Sequence, residues 1–133
     1  MSDTTITGNL GRDFELRYSP SGSANARNSI AVTRKWKDGS GADKEQTSWF
    51  PIVLWAGVAE NAAESLSKGD RVIASGRLEQ RDYEKDGEKK SIIELVVYEI
   101  GPSLRWATAS VKRTEKVGGG GAAPAPEFGD EPF

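Results

Sequence analysis

The stretch from Gln46 to Trp55 sorts its large side chains by parity. Phe50, Ile52 and Leu54 fall on one side, and Trp49, Val53 and Trp55 on the other. Side chains alternate across a strand, so this is a strand with one face for a core and a second face rich in aromatics. Pro51 within it lacks a backbone donor, which points to an edge or a bulge. A chain carrying such a strand needs partner strands to close over Phe50, Ile52 and Leu54. The rest of the sequence supplies them.

Thr4–Leu10 and Phe14–Ser19 read as two short pieces of one bent strand. Gly8 and Gly11 predict a bulge or sharp bend there. Residues 19–23 are turn residues, and Ala26–Trp36 is a long strand. Lys37–Glu45 reads as a polar loop. After Trp55, the residues Val58, Ala62 and Leu66 recur at helical spacing, with Ala59 and Ala63 widening the face. Lys68-Gly69 closes that helix, with Gly near the C′ position. Arg71–Tyr83 and Ser91–Ile100 are strands around the hairpin turn 84–88, and Gly101-Pro102 stops the last one. The pattern predicts an all-β domain with one short helix. A helix between the third and fourth strands of a five-stranded Greek-key barrel is the OB-fold layout.

Beyond Thr114 the apolar periodicity ends. We divide the 133 residues into a folded domain over 1–113, a Gly/Ala/Pro linker over 114–126 and an acidic tip over 127–133. Residues 1–113 are near neutral by count, so the acidic balance of the whole chain, −2 in all, comes from the tail. A near-neutral total is compatible with nucleic-acid binding, because the electrostatic footprint is a local patch.

The chain has no Cys and no His. Disulfides, thiolate nucleophiles and imidazole bases are therefore excluded. No metal cluster, phosphate loop or nucleophile–base pair stands out, so neither catalysis nor a cofactor or metal is expected. A metal-dependent nuclease would need clustered acids, whereas the acids here fall mostly in turns. No basic segment runs into an apolar stretch at the N-terminus, and no run approaches the length of a membrane helix. A cytoplasmic protein is expected.

Trp36, Trp49, Trp55 and Tyr83 lie in or beside strands with basic residues close by. Bases stack on such rings, and Lys and Arg attract phosphates without regard to sequence. Core packing is the commoner fate of a Trp in a small domain. For Trp49 and Trp55 it is weakened, since the opposite face already has its apolar residues. Trp36 shares parity with Ile30 and Val32, so it faces outward only if the strand twists or bulges. Trp106 is open between packing and an oligomer contact. In the tail, Phe128, Asp130, Glu131, Pro132 and Phe133 could dock in a basic-rimmed apolar pocket, or the tail could be a disordered solubilising segment.

An ordered series of motifs resembles bacterial single-stranded DNA-binding proteins. It runs Gly8-Asn9-Leu10-Gly11, Glu15–Tyr18 with Ser19–Gly22, Ile30-Ala31-Val32 before Trp36, and Glu45–Trp49. It continues through Val53-Leu54-Trp55, Ala59-Glu60-Asn61, Lys68-Gly69 and Gly76-Arg77-Leu78, to the terminal Pro-Phe. The resemblance implies an OB-fold that assembles as a homotetramer and wraps single-stranded DNA without strong sequence preference. It implies stacking roles for Trp36, Trp49, Trp55 and Tyr83 and DNA-facing roles for Arg17, Lys37, Lys68 and Arg81. It also implies that the tip recruits replication, recombination and repair proteins. Phe14 departs from the family's frequent Pro, and Glu79 and Asp82 occupy a segment that is commonly more basic. The linker is short, and the tip has a single Pro and a Gly. The alternative is an OB-type protein-interaction adaptor whose aromatics lie in a subunit interface.

Overall fold

The computed structural model describes residues 3–114. The linker beyond Thr114 and the 127–133 tip lie outside them. The elements run β1 (Thr4–Leu10), β2 (Arg17–Tyr18), β3 (Ala24–Lys37), β4 (Asp43–Trp55), α1 (Ala56–Ser65), β5 (Arg71–Lys85) and β6 (Glu88–Pro102). Their order in the sheet is β1-β5-β6-β4-β3-β2, and β1 also pairs with β3. That last pairing, Asn9↔Ala31 and Leu10↔Ile30, closes the barrel. The result is the expected OB-fold, with α1 between the third and fourth barrel strands. No helix among the described residues is long and apolar enough to cross a membrane.

One parity of each strand fills the core. Leu10, Ala26, Ile30, Ile52, Leu54, Val72, Ala74, Leu95 and Val97 point in, and Ala59, Ala62 and Leu66 close one end. Fully burying an Ile or Leu contributes about 1.5–3 kcal/mol, and Ile30 and Leu54 are wholly buried. The small Ala side chains let α1 lie close on the barrel. Buried Asn28 pins the bend after β1: its Nδ2 donates to the Arg12 carbonyl at 2.7 Å, and its Oδ1 accepts from the Arg12 N–H at 3.3 Å.

Several boundaries differ from the sequence reading. The Phe14–Ser19 strand shrinks to Arg17–Tyr18, while Phe14 and Leu16 pack partly buried against the core. The polar loop shrinks to residues 38–42, because β3 and β4 form an unbroken ladder from Asn25↔Trp55 to Lys37↔Asp43. Thr33 and Thr47 share a hydrogen bond of 3.0 Å, and Lys37 meets Asp43 at 3.1 Å. The turn between β5 and β6 is Asp86-Gly87, with φ of 54° and 79°, the two-positive pattern favoured in tight hairpins.

The helix starts at Ala56 and its C-cap is Leu66, so Gly69 is not its C′ residue. Gly69, at φ 89°, instead serves the turn into β5, where its N–H donates to the Leu10 carbonyl at 2.9 Å. Gly8 makes no bulge either. It is paired in β1 and lies where a Cβ would strike the Ala31 carbonyl and stand 2.8 Å from Ile30 Cγ2. The irregularity in the sheet falls at Ser75/Gly76 in β5. Pro51 sits opposite Ser29 in the ladder without a register shift. β4 meets β6 only at Ile52↔Leu95 and Val53↔Val96, so at Pro51 its other side is a free edge.

Candidate nucleic-acid interface

Residues opposite one another in a sheet share a face, so the registers trace the outer surface of the barrel. Trp55 lies opposite Asn25, Val53 opposite Arg27, and Trp49 opposite Ala31. Val53 then pairs with Val96, and Val96 with Arg77. Along β6 and β5 the same face carries Glu94, Arg81 and Tyr83. Trp49, Trp55 and Tyr83 thus share one outward surface with Arg27 and Arg81. Trp49 is 58% exposed and Trp55 45%, which fits their parity in β4. Arg17, opposite Asn25, extends the Trp55 row onto β2, where it is ion-paired with Glu15 at 2.7 Å.

Two expectations about parity change. Phe50 was expected in the core with Ile52 and Leu54, yet it is exposed. The barrel closes at Leu10↔Ile30, and Phe50 stands opposite Ile30 at the rim. Val32 still packs partly buried against the core, and past it β3 and β4 run on as a two-stranded arm exposed on both faces. Trp36 is exposed for the same reason. No bulge turns it, since the ladder is unbroken. It keeps the parity of Ile30 and lies on the opposite face of the arm from Trp49. The Arg34 guanidinium covers its ring at 4.6 Å. Lys37, on the other parity, is held by Asp43.

The Arg81 guanidinium lies 5.4 Å from the Tyr83 ring centre, and its Nε donates to Glu94 Oε1 at 3.3 Å. Lys68 is exposed in the turn after α1, where its backbone N–H donates to Asp13 Oδ1 at 2.7 Å. It stands off the sheet, outside the row that the registers trace. Phe128, Asp130, Glu131, Pro132 and Phe133 lie outside the described residues.

Sequence reasoning missed three features. Arg27 and Glu94 form an ion pair at 2.5 Å across the outer face. A lone acid inside the apolar run 92–97 was the available signal, since such a group needs a partner when buried. Arg77 donates to the Tyr98 hydroxyl at 2.7 Å and pairs with Glu79. The Tyr98 bond first, then Glu79, hold its pKa above the usual arginine value. Glu79, which made this strand look less basic, is thereby tied to Arg77. Trp106, 72% exposed, has Arg71 and Arg105 each 4.8 Å from its ring centre. An open surface of rings interleaved with guanidiniums suits flat π-faced groups joined by anions.

The single-strand binding protein family model matches residues 1–103. A single-stranded DNA-binding protein of Paenarthrobacter aurescens is 49% identical over 97% of this chain and 78% of its own. One from Mycobacterium tuberculosis (strain ATCC 25618 / H37Rv) is 46% identical over 98% of this chain and 87% of its own. Among solved structures, the Plasmodium falciparum SSB complex with ssDNA superposes with a TM-score of 0.67 at 23% identity. The match covers 76% of this chain and 91% of that one. That likeness is one of fold.

Proposed function

This chain belongs to the single-strand binding protein family, and on that premise we propose that it binds single-stranded DNA with little sequence preference. The observation that carries this reading is the shared outward face of Trp49, Trp55 and Tyr83, with Arg27 and Arg81 between them. Bases stack on the rings, and the guanidiniums meet the phosphates. Stacking contributes about 1–3 kcal/mol per base and tolerates any sequence, because every base has a π-face. Lys37 extends the surface along the β3–β4 arm, Trp36 offers a further ring on the arm's other face, and Arg17 extends the surface past Trp55. Lys68 meets the strand where it leaves the sheet.

The finer parts of the proposal rest on the resemblance. The chain acts as a homotetramer in the cytoplasm, without catalysis or cofactor, and protects single strands during replication, recombination and repair. The Glu127–Phe133 tip recruits the enzymes of those processes through its acids and terminal Phe.

A fluorescence titration with oligo-dT at several salt concentrations tests the reading, with the protomer count measured in parallel. Strong Trp quenching, reversed by salt, is expected. Unchanged fluorescence and mobility at low salt with excess oligonucleotide would sink it. If quenching instead followed dissociation of the oligomer and ignored DNA, the aromatics would belong to a subunit interface.

A further inference from the structure

Glu94 is the acidic group on the proposed DNA surface whose side chain is nearly closed off from water, at 6% exposed. Its two oxygens go to different strands. Oε2 accepts from Arg27 Nη1 on β3, and Oε1 accepts from Arg81 Nε on β5. A buried carboxylate must be paired, and one arginine would suffice. Here two converge on it. Both arginine side chains stay partly exposed, at 41% and 44%. Each has five N–H donors in a fixed fork and spends one on Glu94. The remaining donors are oriented by the anchored one.

The position matters as much as the pairing. Arg27 lies opposite Val53, two residues before Trp55. Arg81 lies on the same face as Tyr83, two residues before it. A strand that stacks on both Trp55 and Tyr83 must cross the place of Glu94. A bare carboxylate there would repel the phosphates. What the strand meets is a covered acid flanked by two aimed guanidiniums, a group with net charge of +1 by its formal charges.

We infer that Arg27 contacts a DNA phosphate and that Glu94 is a positioning residue, holding Arg27 and Arg81 in line between the stacking rings. This rests on the proposed DNA-binding function and goes on to assign residues within it. Glu94 acts through the two arginines and does not touch DNA. Simple charge counting gives the opposite expectation for it, because removing a negative charge should tighten DNA binding.

The full-length chain and its Arg27→Ala, Arg27→Lys and Glu94→Gln variants are titrated with oligo-dT over a range of salt, with thermal melting followed alongside. Arg27→Ala should lower the slope of log K against log salt by about 0.7, the value of one phosphate contact on a single strand. It should weaken binding about ten-fold at low salt. Arg27→Lys should restore most of the slope. Glu94→Gln should also weaken binding, by about three-fold or more, and flatten the slope.

Quenching of the parent chain reports the underlying function. If the parent binds and quenches but Arg27→Ala keeps its slope and affinity, the inference about Arg27 is wrong. If Glu94→Gln binds as tightly as the parent or tighter, Glu94 does not position the arginines. A loss of melting temperature with unchanged binding would make Glu94 purely structural. Should Glu94→Gln fail to fold, Arg27→Lys beside Arg27→Ala still decides, because a phosphate contact is rescued by lysine and a packing role is not.

Discussion

Gly11 lies against the ring of Trp49, so close that a Cβ on it would stand 2.8 Å from Trp49 Cζ3. The Gly11 backbone is held in place by its N–H bond to the Ser29 carbonyl at 2.9 Å. Gly11→Ala should therefore move the exposed ring while leaving the barrel closed. Oligo-dT binding should weaken by up to about 1–3 kcal/mol, the worth of one stacked base. Titration together with far-UV circular dichroism checks both halves of this expectation.

Trp49 and Trp55 are exposed at the surface and fill no core position. Replacing either with Ala should cost about 1–3 kcal/mol of DNA affinity and shift the unfolding free energy by no more than about 0.5 kcal/mol. A large stability loss in urea melts would mean that the rings serve packing.

Tyr83 offers a finer distinction. Its ring carries the Arg81 guanidinium. If the π-face is what matters, Tyr83→Phe should bind oligo-dT like the parent and Tyr83→Ala should not. Equal loss in both variants would shift the role to the hydroxyl.

Gly76 sits at the irregularity in β5, where a Cβ would run into the Val96 carbonyl. Both sides of that contact are backbone, so no side chain can swing away. Gly76→Ala should cost about 1–3 kcal/mol or more of stability, as overpacking does. Denaturant melts would show the midpoint falling.

Asp38 holds the tip of the β3–β4 arm. Its Oδ1 accepts from Ser40 Oγ at 2.6 Å, from the Ser40 N–H at 2.9 Å and from the Ala42 N–H at 3.0 Å. The Ser40 hydroxyl is the largest cause holding this carboxyl below its usual pKa, followed by the Ala42 N–H. The folded value lies below the unfolded one. The tip is thus fully stabilised above the ordinary carboxylate range, and loses that stabilisation as pH falls through the lowered pKa. An acid titration of the Ser40 and Ala42 amide shifts should follow one low midpoint. Ser40→Ala should raise that midpoint.

What could be read from the sequence depended on range. Parity within β4 is local, so the outward direction of Trp49 and Trp55 was legible, and so was the inward direction of Ile52 and Leu54. Phe50 has the same parity as those two, and its exposure depends on where β1 crosses β3, at Leu10↔Ile30. No local pattern reports that crossing. The hairpin ends read as loops because charged residues dominate them, yet Lys37 and Asp43 pair across a ladder that water surrounds. Trp36 was legible as a candidate, but its exposure, like that of Phe50, depends on where the barrel closes and not on a bulge. Arg27 and Glu94 stand 67 residues apart. Their meeting on one face is a property of strand order.

The β3–β4 arm is fixed to the barrel at its root alone. Beyond Ala31 it extends roughly 20 Å at the rise of a β-strand. A ribbon clamped at one end is a cantilever, so a slight rotation at the root becomes a travel of several ångström at the tip. Trp49 and Trp55 sit near the clamp and keep their spacing. Trp36 rides near the free end with its cross-strand bonds intact. Trp49 and Trp55 thus form a fixed pair on one face of the root, while Trp36 stands out along the ribbon on the other face.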